Sequence, residues 1–276
     1  MMSSGIAHIN GTKIWYELSG SGDVVVQIGG AVSAHEGYET VTPDIAKHFT
    51  VLNYDHRGYG LSARPKQQYT IQTWCDDLEA LLAELNIEKA HIHGGSMGSF
   101  IAIAFAIKYP KRVGKLLLGA GAVAKCDDMG ISHFRVWQYL AKSYGVGSPE
   151  VADELVNKAF SREYIDTQSR EKLITLMQDT AQRNADTNVF IDACQVMIDA
   201  DVGSDLSAIE APTLVMVGSE DVLTPLDAGP AGFGARKVAE AIKRSELRVF
   251  AGSGHGHYAE RATESIDAIL GFLKNS

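Results

Sequence analysis

The sequence predicts a doubly wound, mostly parallel α/β sheet interrupted by one inserted block of helices. Three observations carry that reading. Short apolar runs alternate with helical patterns up to residue 122, only helical patterns run from 123 to 208, and the alternation resumes from 209 to the end. The core is therefore expected to comprise 1–122 and 209–276, with 123–208 as a helical cap.

The elements follow in order. "HINGTKIWYELSG" alternates apolar and polar residues around Asn10-Gly11, a pair suited to a tight hairpin turn. "DVVVQIGG" (23–30) reads as a buried strand ending in glycines, "EGYETVTPDIAKHF" as a helix, and "FTVLNYD" (49–55) as a second buried strand. Ile71, Trp74, Leu78, Leu81, Leu82 and Leu85 fall on one face of a helix over 69–87. A strand at 89–93, an apolar helix at 97–109 stopped by Pro110, and a strand at 115–120 complete the first half. The cap carries four helical segments, with Phe134, Trp137, Tyr139, Tyr144, Phe160, Tyr164, Met177 and Met197 as its large apolar residues. Strands at 212–218 and 247–252 then alternate with helices near 235–244 and 261–274. The Gly-rich stretch "DAGPAGFGARK" (227–237) lacks the strand–loop–helix setting of a phosphate cradle and is read as a flexible insertion. In open sheets of this kind ligands bind at the carboxyl ends of the strands, and a block inserted between two strands would lie over that edge.

Composition narrows the class. A net charge of −9 disfavours a nucleic-acid or anionic-membrane surface, which would gain from a basic stripe. The amino-terminal residues lack a basic segment followed by an apolar one, and "FIAIAFAI" is too short to span a bilayer. Cys75, Cys126 and Cys194 have no CxxC spacing, so neither a disulfide framework nor a zinc knuckle is indicated. A cytoplasmic protein acting on a small molecule, as monomer or homodimer, is the expectation.

The chemistry centres on Gly94-Gly95-Ser96-Met97-Gly98, a G-x-S-x-G between a predicted strand and a predicted helix. That context suits a nucleophile elbow, a strained turn that exposes the serine hydroxyl. A lone serine is a weak nucleophile and needs a base, itself oriented by an acid. The elbow calls for the order Ser, then Asp or Glu, then His. "SEDVLTP" supplies the acid loop and "SGHGHYAE" the histidine loop, each after a predicted strand. The N–H of Met97, just after the serine, is the expected first oxyanion donor.

These motifs resemble the α/β-hydrolase family across essentially the whole chain. "DHRGYGLS" (55–62) is similar to its D-x-R-G-x-G-x-S loop, "GSEDVLTP" (218–225) to its acid loop, and "GHGHYAER" to its G-H-x-x-x-x-E segment. The resemblance implies Asp221 and not Glu220 as acid, and His255 as base, because Glu260 lies five residues on. His257 is then expected near the pocket mouth. Where many relatives carry His-Gly-x in the oxyanion loop, this chain reads Ile28-Gly29-Gly30-Ala31. Ala31 becomes the expected second N–H donor, and Gly30, His35, Trp137 and His257 the expected pocket residues.

The resemblance implies hydrolysis of an ester or lactone through an acyl-enzyme, with enol-lactonases the nearest branch and no cofactor, and the apolar residues of the cap suggest a small, largely apolar substrate. C–C bond hydrolases of diketone-like substrates are the alternative, followed by lyases, cofactor-free oxygenases and ligand receptors on the same fold. Two H-x-H pairs, His91/His93 and His255/His257, also allow a metallohydrolase, although "HIHGGS" lacks the acidic residue and further histidine of an HxHxDH site.

Overall fold

The computed structural model describes residues 2–275. The strands are β1 (Met2–Ile9), β2 (Thr12–Gly20), β3 (Val24–Ile28), β4 (Thr50–Tyr54), β5 (Ala90–Gly95), β6 (Val113–Gly119), β7 (Thr213–Gly218) and β8 (Ser245–Phe250). They form one sheet in the order β1-β2-β4-β3-β5-β6-β7-β8. β1 and β2 pair antiparallel through the Asn10-Gly11 turn, where both residues have positive φ, and β2 pairs antiparallel with β4. All pairings from β4 to β8 are parallel.

The helices are α1 (Thr42–Ile45), α2 (Ile71–Glu84), α3 (Met97–Lys108), α4 (Asp128–Tyr144), α5 (Pro149–Ala159), α6 (Arg162–Thr167), α7 (Arg170–Asn184), α8 (Thr187–Asp199), α9 (Ala235–Ala241), α10 (His257–Glu260) and α11 (Ala262–Lys274). Alternate residues of each strand feed opposite faces of the sheet. Val26, Leu116, Leu118, Val215 and Val217 pack with the Leu78, Phe105 and Val238 side, whereas Val25, Leu117, Leu214 and Met216 pack with Ile45, Ile269 and Phe272. This two-faced burial is why the strands read as unbroken apolar runs.

The helix expected over 36–49 is instead a 3₁₀ turn (His35–Tyr38) and the four-residue α1. Pro43 explains the break, since it has no N–H to donate back into a preceding turn and can only start a new helix.

Between β6 and β7 the described chain holds α4 to α8 and a 3₁₀ segment (Gly203–Ala208), with no named strand. Side-chain N-caps on Asp127, Ser148, Ser161 and Ser169 start four of these helices, each accepting from an N–H three residues on. The block touches loops that follow β3, β4 and β8. Asn184 donates to Val32 O and Glu36, Gly60 N donates to Asn184 O, and Gly256 N donates to Ala159 O. It therefore lies over the carboxyl edge of the sheet.

The stretch 227–237 is pinned rather than loose. Gly229 N donates to Asp127 Oδ2, and Phe233 exchanges backbone hydrogen bonds with Ala124 and Lys125. No described helix is long and apolar enough to cross a membrane.

Candidate active site

The chain leaves β3 to build β4 on one side and returns to build β5 on the other. β3 and β5 are therefore neighbours at the point where the strand order reverses. Ser96 lies there, between β5 and α3, with φ 55° and ψ −122°, a conformation most L-residues avoid. Backbone crowding forces the surrounding glycines. A Cβ on Gly94 would stand 2.2 Å from Gly98 O, and one on Gly98 would stand 2.1 Å from Ile28 O. The serine hydroxyl is presented at the amino end of a twelve-residue helix, where free N–H groups and the helix dipole favour developing negative charge.

The expected acid and histidine meet at the same edge. Asp221 is buried, while Glu220 beside it is exposed. Asp221 Oδ1 accepts from the N–H groups of Leu223 and Thr224, both at 2.9 Å. Its Oδ2 lies 2.9 Å from His255 Nδ1, in a contact that assigns the proton to Nδ1 and leaves Nε2 as a free acceptor. Among the described residues Ser96 Oγ has no hydrogen-bond partner, and it makes no cap bond to α3.

Around Ser96, Gly30 is in direct contact range, since a Cβ there would lie 3.2 Å from Ser96 Cβ. Gly30 N donates to Ser33 Oγ, and Ala31 O accepts from Tyr59 OH. The N–H of Ala31 has no partner among the described residues and is free to donate. Met97 N–H begins α3 and is free for the same reason that every first-turn amide is.

The contacts of three expected pocket residues are as follows. His257 is fully buried, with its Nε2 accepting from Ala120 N at 2.9 Å and its Nδ1 bonded to Ser265 Oγ at 2.9 Å. Its ring stacks on Phe250, and burial, then the neighbouring His255, lowers its pKa to about 3. It is a neutral core residue and does not reach the pocket mouth. His35 opens the 3₁₀ turn and points its Nδ1 to Asp55 Oδ1 at 2.8 Å, with its ring against Trp15. The hydrogen bond to Asp55 raises its pKa. Through Nδ1 it braces the loop after β4. Trp137 packs against Phe134 and Phe190 in the interior of the helical block, with its indole N–H unpartnered. Of the other cap aromatics, Tyr139 and Tyr144 are exposed.

The H-x-H pairs do not assemble a metal set. His93 is buried, bonded through Nε2 to Tyr258 OH at 2.6 Å, and held neutral with a pKa lowered to about 3 by desolvation. Both ring nitrogens of His257 are already engaged. Among the described residues, no three His, Cys, Asp or Glu side chains cluster as ligands.

Two residues missing from the expected site adjoin it. Thr224 Oγ1 lies 2.8 Å from Asp221 Oδ2, 3.0 Å from His255 Nδ1 and 2.6 Å from Ala120 O. Glu260 Oε1 accepts from Gly254 N at 3.1 Å and from Ser161 N at 3.2 Å, tying the histidine loop to the start of α6. Glu260 was visible as part of the "GHGHYAER" pattern, and Thr224 as part of "DVLTP". Their contacts with Ala120, His255 and Ser161 could not be read from spacing, because these cross between distant segments.

Residues 23–172 match the family model of the alpha/beta hydrolase fold. An AB hydrolase superfamily protein of Bacillus subtilis is 29% identical over 95% of this chain and 96% of its own length. The 2-hydroxy-6-oxo-2,4-heptadienoate hydrolase of Pseudomonas putida is 26% identical over 92% of this chain and 90% of its own. Among solved structures, the enol-lactonase from Burkholderia xenovorans superposes with a TM-score of 0.84 at 23% identity, covering 98% of this chain and 100% of that one, a likeness of fold. The strand order, the elbow between β5 and α3 and these matches agree: the chain belongs to the alpha/beta hydrolase fold family.

Proposed function

We propose that the chain is a serine hydrolase that cleaves a small, largely apolar ester or lactone. Ser96 Oγ attacks the carbonyl carbon while His255 Nε2 takes its proton. Asp221 holds the imidazole in the Nδ1–H tautomer and stabilises the imidazolium. The amides of Met97 and Ala31 donate to the oxyanion. His255 then protonates the leaving oxygen, and water, deprotonated by the same nitrogen, releases the acid and regenerates Ser96. The steps require side chains, backbone amides and water, and no cofactor. The observation that carries the reading is the strained backbone of Ser96 at the head of α3, on the same sheet edge as the buried Asp221–His255 pair.

A second reading, C–C bond hydrolysis, is favoured by the Pseudomonas putida relative. A dienoate carries a carboxylate, whose burial calls for a cation or several N–H donors. Among the described residues the buried cation is Arg57, and it is committed to Asp77 through contacts of 2.6 and 2.7 Å. Arg57 is therefore not available to a substrate carboxylate.

A substrate panel tests both readings. Wild-type protein is expected to hydrolyse p-nitrophenyl acetate and butyrate and a simple enol lactone, with turnover lost in Ser96→Ala. Preferred turnover of a 2-hydroxy-6-oxo-dienoate would favour C–C cleavage. Undiminished ester hydrolysis by Ser96→Ala would overturn the serine mechanism.

A further inference from the structure

The turn that ends β6, Gly119-Ala120-Gly121, touches every arm of the candidate site. Gly119 O accepts from Ser96 N at 3.1 Å and from Ser99 Oγ at 2.9 Å, fixing the elbow. Ala120 O accepts from Thr224 Oγ1, whose oxygen also contacts Asp221 and His255. Gly121 packs on Thr224 so closely that a Cβ would stand 2.2 Å from the hydroxyl oxygen. Ala120 has φ 51°, the left-handed region that a residue with a Cβ adopts only when its surroundings hold it there.

What holds Ala120 is His257. Its Nε2 takes the Ala120 N–H, its Nδ1–H is anchored on Ser265, and Ser265 Oγ in turn reaches His257 O at 3.3 Å. The ring is clamped between Phe250 and Tyr258. A hydroxyl has one proton, so Thr224 serves either Ala120 O or Asp221 Oδ2 at a given moment. The position of Ala120 therefore decides where the Thr224 oxygen stands beside the acid and the base.

We propose that His257 and Thr224 are coupled positioning residues: His257 pins the left-handed Ala120, and Ala120 sets Thr224 against Asp221 and His255 so that the imidazole faces Ser96. The inference rests on the serine-hydrolase reading and adds to it two residues that touch no substrate. It also gives the second histidine of the 255/257 pair a task that requires an acceptor nitrogen and no titration.

The test is a double-mutant cycle on kcat and KM for ester hydrolysis, with thermal midpoints measured in parallel. Thr224→Val keeps the shape and removes the hydroxyl, and kcat is expected to fall about 10- to 100-fold with KM nearly unchanged, the scale of a small misplacement of reacting groups. Thr224→Ser should restore most of it. His257→Phe keeps the ring without the acceptor and should lower kcat about tenfold, while His257→Gln, which offers an oxygen at the same reach, should retain most of the activity. The double variant His257→Phe/Thr224→Val should be no slower than Thr224→Val alone, because the two act through one contact chain. Multiplying losses, or a His257→Phe that lowers only the thermal midpoint, would overturn the coupling. Fluorophosphonate labelling of the wild type separates the two levels. A wild type unlabelled at Ser96 overturns the serine reading and this inference together, whereas a labelled wild type with multiplying losses overturns this inference alone.

Discussion

At the sheet edge, Ser96, Asp221 and His255 follow the ends of β5, β7 and β8 by one, three and five residues, and backbone groups orient them. In the helical block, Phe134, Trp137, Phe190 and Met197 point inward from helix faces and are held by packing against one another. The edge is specified by turns, where each φ and each N–H is determined by strand register. The block is specified by helical periodicity, which buries a stripe without fixing which side chain meets a ligand. The sheet edge should therefore govern the rate of bond cleavage, and the block should govern which substrate is held.

The largest effect is expected at the edge. His255→Ala should lower kcat for ester hydrolysis by at least about 10³-fold, since removing the base disables nucleophile and proton return together. Activity near wild type in that variant, with loss in His257→Ala, would shift the base by two residues. An intermediate effect is expected where the two regions join. Glu260→Gln weakens the carboxylate that accepts from both Gly254 and Ser161. A loss of roughly tenfold in kcat/KM, with altered chain-length preference across p-nitrophenyl esters, is expected because a charged acceptor contributes about twice a neutral one. An unchanged preference would show that the cap and the histidine loop are independent.

The smallest effect on catalysis, though not on stability, concerns pH and the buried histidines. His56 has a pKa lowered to about 4, and His93 and His257 to about 3, in each case first by burial. The unfolded chain binds these protons near pH 6.5 and the folded chain does not. Stability is thus fully present above pH 6.5 and declines as pH falls toward 3–4, by at most about 1.4 kcal/mol per pH step for each histidine. A thermal midpoint that drops steadily from pH 7 to pH 5, less steeply in His257→Gln, is the expected result. A flat profile would mean these rings are not neutral when buried.

Much of the sheet edge was legible because its devices are local. Gly94 to Gly98 mark a turn that only small residues permit, and "EDVLTP" and "GHGHYAER" fix the acid and the histidine by their distance from a strand. His257 was misread because its partners, Ala120 and Ser265, come from a different strand end and from α11, and two residues of spacing say nothing about which side of a turn is buried. The partner of His35, Asp55 on the loop after β4, was out of reach of spacing for the same reason. The helices of the cap follow from periodicity. The exposure of Tyr139 and Tyr144 does not, since an aromatic at the margin of a stripe reads the same whether it is covered or bare.

Fluorophosphonate labelling, with the modified residue mapped by mass spectrometry, tests the central claim most directly. Stoichiometric modification of Ser96 in the wild type, abolished in His255→Ala under the same conditions, is the predicted result. An unmodified Ser96, or a label on another residue, would contradict it.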